Sequence, residues 1–335
     1  MSATKAHVVW LEAPGDVVLR EEAIGAPKPD ELLCETIVSA ISPGTELAAW
    51  RGLPPLRPSV LYPRLQGYCN VARVIECGSE VEGFTPGDRV LTLQSHRSHF
   101  VAPAHDVFYK LPDGAQADAV AATYLFHLGY NAVLRSDLRA GHRVLVIGLG
   151  ALGLTSVAMA ALAGAQVFAL SGQSAPAAIA RDYGATHVFA RDEEALLADA
   201  LGTGADVIIS TTNGWDDFSL AQRVAAQNGT IACLGFPGRD SPPGDFNPLA
   251  SEHFYMKQLS IEAVGASPLE NDARGFARFN LRDNLAFLAT AIQSGRIDPS
   301  LILSGRYRGE NIAQAYADLD ARKDNAVTYL LDWNV

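Results

Sequence analysis

RVLVIGLGALGLTSVAMAALAGAQVFAL, residues 143–170, is the stretch on which the reading of this chain turns. From Val144 to Leu170 it carries no charged residue, and a membrane span needs only about 20 apolar residues, so length alone would admit one. The glycines point elsewhere. Gly148, Gly150 and Gly153 form Gly-x-Gly-x-x-Gly directly after a hydrophobic run. In a phosphate-binding turn the first glycine permits the tight bend and the second lets backbone approach a pyrophosphate. The third allows the following helix to pack closely on the strand. The stretch therefore predicts strand RVLVIG, helix ALGLTSVAMAALA and strand QVFALS, with the helix N-terminus offering free N–H groups and a positive dipole to phosphate. Gly148, Gly150, Ala151, Leu152 and Gly153 are the expected first cofactor contacts.

Downstream the alternation continues. APAAIARDYGA reads as a helix ended by Gly184, THVFA as a short strand and EEALLADALG as a helix. DVIIST is a strand, FSLAQRVAAQNG a helix closed by Gly229, TIACLGF a strand, and QLSIEAVGA the sixth. Strands separated by helices of about ten residues indicate an α/β fold class with a doubly wound, Rossmann-type parallel sheet. Thr211 and Gly235, at the ends of two of these strands, complete the expected cofactor-facing set.

Upstream, residues 6–110 carry short strands and Gly/Pro turns, as in VARVIECGSEVEGFTPGDRVLTL, and suggest a small barrel or folded sheet. DAVAATYLFHLGYNAVL has helical spacing. At the other end two helices, LRDNLAFLATAIQSGRI and NIAQAYADLDARKD, precede a strand, AVTYLLDW. The expected division is residues 1–125, 126–265 for the nucleotide-binding domain, and a return of 266–335 to the first domain.

In a Rossmann unit an Asp or Glu about 20 residues past the glycines reads the ribose hydroxyls of NAD. Here the turn after QVFAL is Ser171-Gly172-Gln173-Ser174, with no acid. Such a turn admits a 2′-phosphate without repulsion, and Arg181 one helix on is the expected cation for it. NADP(H) is thus expected over NAD(H), the alternative being that Ser171 bonds the ribose hydroxyls of NAD.

Bulk properties exclude other classes. The 335 residues carry 26 basic and 37 acidic side chains, a net charge of −11, with no basic run. Nucleic acid and membrane partners are not expected. The four cysteines are scattered without a Cys-x-x-Cys, against a disulfide framework. MSATKAHVVW lacks an apolar signal core, so a cytoplasmic protein is expected. No Tyr-x-x-x-Lys, Gly-x-Ser-x-Gly or P-loop is present.

With these parts in order, the chain resembles the medium-chain dehydrogenase/reductase superfamily over essentially its full length. PKPDELLCETIVSAIS-PGTELAAW, GYCNVARVIECGSEVEGFTPGDRV, HFVAPAHDVFYKLPDG, AGHRVLVIGLGALG and NGTIACLGF carry the resemblance. It implies a GroES-like catalytic domain completed by the tail, with substrate and nicotinamide meeting between the domains, and a homodimer. Ile-Ser-x-Gly-Thr-Glu and Gly-Tyr in place of Gly-His are similar to the branch that includes bacteriochlorophyllide hydroxyethyl dehydrogenase. Zinc-dependent members place Cys, His-Glu and Cys at positions that here resemble Ser42, Tyr68-Cys69 and Tyr124. Zn²⁺ favours thiolate, imidazole or carboxylate, so no metal is expected, and His96, His99 and His105 are read as a solvated loop.

Without zinc, hydroxyls or an imidazole must stabilise the developing oxyanion. Tyr68 is the leading candidate donor and Tyr124 the second. Thr45 resembles the proton-relay position, Ser42 and Glu46 flank it, and His127 is read as a shuttle or a buried structural histidine. Lys257 and Arg322 are read as surface charges. The expected activity is zinc-independent, NADP(H)-dependent hydride transfer on a carbonyl/alcohol pair. Reduction of an activated C=C bond and a non-catalytic nucleotide-binding role are the alternatives.

Overall fold

A computed structural model describes residues 4–54, 62–239, 242 and 244–334. The chain divides into two compact units, Met1–Tyr124 with Pro268–Val335, and Leu125–Ser267. In the first unit the strands are β1 (Thr4–Ala13), β2 (Asp16–Ile24), β3 (Glu31–Ala40), β4 (Arg64–Leu65), β5 (Asn70–Cys77), β6 (Arg89–Thr92), β7 (His99–Pro103) and β8 (Val107–Leu111). Along residues 4–124 the helices α1 (Pro43–Trp50) and α2 (Ala117–Ala121) accompany them. β2, β1 and β4 form a three-stranded antiparallel sheet. β2 alternates between exposed and half-buried positions, as a strand with one wet face should.

Helix α1 was not anticipated from the sequence, although its start is written there. Ser42 takes the N-cap, Pro43 occupies the first helical position where its missing N–H costs nothing, and Glu46 sits in the first turn.

The second unit carries α3 (Thr123–Arg135, whose first two residues belong to the other unit), then β9 (Arg143–Ile147), α4 (Ala151–Leu162), β10 (Gln166–Ser171), α5 (Pro176–Asp182) and β11 (Ala185–Ala190). It continues with α6 (Glu194–Leu201), β12 (Ala205–Ser210), α7 (Trp215–Val224), β13 (Ala225–Cys233) and β14 (Ser260–Ala263). All six strands are parallel, in the order β11-β10-β9-β12-β13-β14. Order reverses at β9, so the crevice at a doubly wound sheet's switch point falls at the glycine loop that follows β9. β9, β10 and β12 are buried along nearly their whole length, because helices cover both faces of a parallel sheet. Leu145, Ile147, Phe168, Leu170 and Ile208 share one core cluster, each burial being worth about 1.5–3 kcal/mol before entropy is counted. The charge-free stretch is therefore a buried strand, helix and strand, and no described helix is long and apolar enough to cross a membrane.

Two sequence readings are corrected in this unit. The helix expected to run to Gly229 stops at Val224, and Ala225 already pairs with Ala205 of β12. Helix propensity in AAQN loses to sheet pairing. Lys257, read as a surface charge, donates from Nζ to the carbonyls of Gln222, Arg223 and Ala225 at 3.0, 2.6 and 2.9 Å. It closes the C-terminal end of α7, where free carbonyls and the helix dipole favour a cation.

After Pro268 the chain adds α8 (Leu281–Gln293), β15 (Leu303–Arg308), α9 (Ile312–Asp320) and β16 (Thr328–Asp332). β16 pairs antiparallel with β3, which places the tail within the seven-stranded sheet β15-β16-β3-β5-β6-β8, with β7 also on β3.

Candidate active site and nucleotide loop

Between β4 and β5 the chain reads Gln66-Gly67-Tyr68-Cys69. Gly67 has φ +87°, and a Cβ on it would lie 2.5 Å from the His96 ring. The imidazole lies against bare backbone, and no other residue fits there. His96 is itself fully buried, which overturns its reading as part of a solvated loop. Its Nδ1 is 2.8 Å from Ser39 Oγ and its Nε2 2.9 Å from Glu46 Oε2.

The protons in this cluster follow from what each group can do. Trp333 Nε1–H can only donate, and it donates to Ser39 Oγ at 2.9 Å. The Ser39 hydroxyl is then available to donate to His96 Nδ1, which leaves the imidazole proton on Nε2, facing Glu46. Tyr316 donates to the same carboxylate oxygen at 2.5 Å, and the backbone N–H of Ser42 donates to Glu46 Oε1 at 2.7 Å. Glu46 is 1% exposed, so its carboxylate stands on these three donors in place of water.

Glu46 reaches back to the N-cap N–H of α1 as the acid of a capping box does. The Ser42 hydroxyl takes no part in capping. It accepts instead from Tyr68 Oη at 2.5 Å. Thr45, one turn along α1, lies close enough to the same phenol to favour its ionised form. Tyr124 meets Tyr68 edge-on, with ring centroids 5.0 Å apart. Burial, with Cys69 adding to it, raises the Tyr68 pKa far above the ordinary phenol range, outweighing the opposite influence of Ser42 and Thr45. Burial, with Cys69 second, also raises that of Tyr124. The Cys69 thiol is pushed up by burial and then by Glu46. Ser42, Thr45, Tyr68 and Tyr124 are thus brought together as protonated hydroxyls around a protonated thiol, with the Glu46 carboxylate alongside. That donor set suits hydrogen bonding to a carbonyl oxygen and does not fit Zn²⁺. Among the described residues no three His, Cys, Asp or Glu side chains are grouped to share a metal ion.

His127 is not among them. It is buried in α3, its Nε2 3.4 Å from Ser267 Oγ, and burial lowers its pKa from 6.5 to about 4. Between those values the unfolded chain binds a proton that the folded chain does not, so stability is full above pH 6.5 and falls as pH drops towards 4. The expected loss is about 3 kcal/mol. Urea unfolding across this window should show a shallower pH dependence for His127→Gln than for the wild type. Equal slopes would contradict the assignment.

In the second unit Gly148 N–H bonds Leu170 O, and a Cβ at Gly153 would lie 1.8 Å from Gly148 O, so the turn and the helix touch through backbone. Gly150, the N-cap of α4, faces open space and carries no side-chain cap. Ala151 and Leu152 begin the helix. The loop is filled from within and open at its N–H groups, which fits the pyrophosphate of a dinucleotide. Thr211 Oγ1 supports it from below, donating to Ile147 O at 2.9 Å, and Gly235 lies against the backbone of Thr211 and Thr212. After β10, Ser171 Oγ accepts from Gln173 N–H at 3.0 Å, shaping the turn with Gly172. Arg181, the expected cation, is exposed in the last turn of α5. The cation at this turn is Arg191, which sequence reasoning missed because it follows the next strand.

A family model described as zinc-binding dehydrogenase matches residues 151–279. L-threonine 3-dehydrogenase of Pyrococcus furiosus is 23% identical over 93% of this chain and 94% of its own. The 2-desacetyl-2-hydroxyethyl bacteriochlorophyllide A dehydrogenase of Cereibacter sphaeroides is 31% identical over 41% of this chain and 49% of its own. A Sinorhizobium meliloti protein, provisionally named a zinc-binding dehydrogenase and solved with NADP, has a TM-score of 0.79 at 20% identity, covering 98% of this chain and 99% of that one. With its six-stranded parallel sheet, glycine loop and β-rich companion unit, the chain is similar in fold and sequence to the medium-chain dehydrogenase/reductase superfamily of oxidoreductases.

Proposed function

We propose that this chain is an NADP(H)-preferring oxidoreductase that interconverts a carbonyl and an alcohol with a phenol, in place of zinc, on the substrate oxygen. The observation that carries this reading is the Tyr68–Ser42 hydroxyl pair, 2.5 Å apart, at positions resembling the metal ligands of zinc-dependent relatives. A bound nicotinamide would supply or accept the hydride. Tyr68, kept protonated by burial, donates its O–H to the carbonyl oxygen as negative charge develops there. It hands the proton over as the alcohol forms and recovers one through Ser42 and Thr45. Glu46, His96 and Tyr316 hold the backbone of Ser42 in place. NADP(H) is favoured because the turn after β10 lacks the acid that reads an NAD ribose.

The test is to incubate the protein with NADPH and panels of ketones and enones while following NADPH oxidation. Consumption with ketones supports the reading. Consumption confined to enones would transfer the same phenol to C=C reduction. Nucleotide binding without turnover on either panel would overturn catalysis.

A further inference from the structure

We propose that Arg191, held in place by Asp217, is the residue that selects NADP(H) over NAD(H) by gripping the 2′-phosphate. The inference rests on the NADP(H) reading above and names the residue responsible.

The register of the sheet brings Arg191 to the turn. β10 and β11 are parallel neighbours with Ser171 opposite Ala190, so the residue leaving β11 emerges beside the residue leaving β10. Arg191 therefore stands against Gly172, with its Nε 3.4 Å from where a side chain on Gly172 would begin. Asp217, in the first turn of α7, is 5% exposed and takes both terminal nitrogens of the guanidinium. Nη1 donates to Oδ1, and Nη2 donates to Oδ2 at 2.8 Å.

This end-on fork uses one N–H from each terminal nitrogen. The other edge, made of Nε–H and the second N–H of Nη2, is left over, and Nε has no hydrogen-bond partner among the described residues. Nε is the guanidinium atom nearest Gly172. Two parallel N–H groups in that geometry match two oxygens of a phosphate, a charge-assisted pair that the single hydroxyl of NAD cannot reproduce. The ion pair with Asp217 fixes the side chain beforehand, so little conformational freedom is lost on binding. Both Asp217 oxygens are engaged, which removes it as a reader of ribose hydroxyls. Nearby Glu193 is turned back onto Ala190 N–H at 2.8 Å, away from an approaching anion. Gly172 and Gln173 are exposed, leaving the turn open to ligand.

Calorimetric titration with NADPH, NADH, 2′,5′-ADP and 5′-AMP tests the assignment without reference to turnover. Arg191→Gln should weaken NADPH and 2′,5′-ADP by about 10–100-fold, the range for a hydrogen bond to a charged group. NADH and 5′-AMP should change by less than about threefold, since neither carries the phosphate. Arg191→Lys, which keeps the charge without the fork, should fall between and serves if Arg191→Gln does not fold. A wild type that prefers NADPH and keeps that preference in both variants would overturn Arg191 while leaving the cofactor reading intact. A wild type that binds NADH as tightly as NADPH would overturn the cofactor reading itself, and this assignment with it.

Discussion

Tyr68→Phe is expected to lower kcat by about 10²–10³-fold, the range seen when one donor to a developing oxyanion is removed. The affinity for NADPH should not change, because the nucleotide loop belongs to the second unit and Tyr68 to the first. Stability should fall by about 1 kcal/mol, for the single hydrogen bond to Ser42 that is lost. Single-turnover kinetics with a ketone, beside a urea melt, separates the two effects. A variant that turns over at the wild-type rate would show that Tyr68 is a packing residue with a tethered hydroxyl.

The second large effect lies behind the site. Glu46→Ala is expected to cost about 3–5 kcal/mol of stability, since each buried donor left without its acceptor costs about 1–3 kcal/mol. It strands three donors at once: the Ser42 N–H, the His96 imidazole and the Tyr316 hydroxyl. Two of these belong to other elements, so α1, the loop bearing His96 and α9 all lose a common anchor. The change should appear as a shifted midpoint in urea unfolding followed by circular dichroism. A loss below about 1 kcal/mol, typical of a surface charge, would mean that the carboxylate is hydrated in solution and the cluster incidental.

The nucleotide-binding half was legible because its signals are local. Glycine spacing, apolar strands and strand–helix alternation between Arg143 and Ala263 all lie within neighbouring residues, and they indicated a doubly wound parallel sheet. The hydroxyl pair was half legible: Ser42 and Tyr68 were singled out, but their contact joins residues 26 apart. His96 was misread because its partners are 50 and 57 residues away, and nothing around Ser95-His96-Arg97 announces burial. Tyr316 and Trp333 reach the cluster from 270 and 294 residues away, distances at which no sequence period speaks. Helix α1 is a different case, since Ser-Pro followed by Glu is a start signal that went unused. Arg191 was missed by looking for a cation along the helix after β10 instead of across the sheet, where parallel pairing sets it beside Gly172.

The proposed replacement of zinc by a phenol is tested most directly by assaying ketone reduction on protein stripped of metal with a strong chelator, with zinc measured on the same sample. The expected result is wild-type turnover with zinc far below one ion per chain and no stimulation on adding Zn²⁺. Turnover that disappears with the metal and returns when one Zn²⁺ per chain is restored would contradict it.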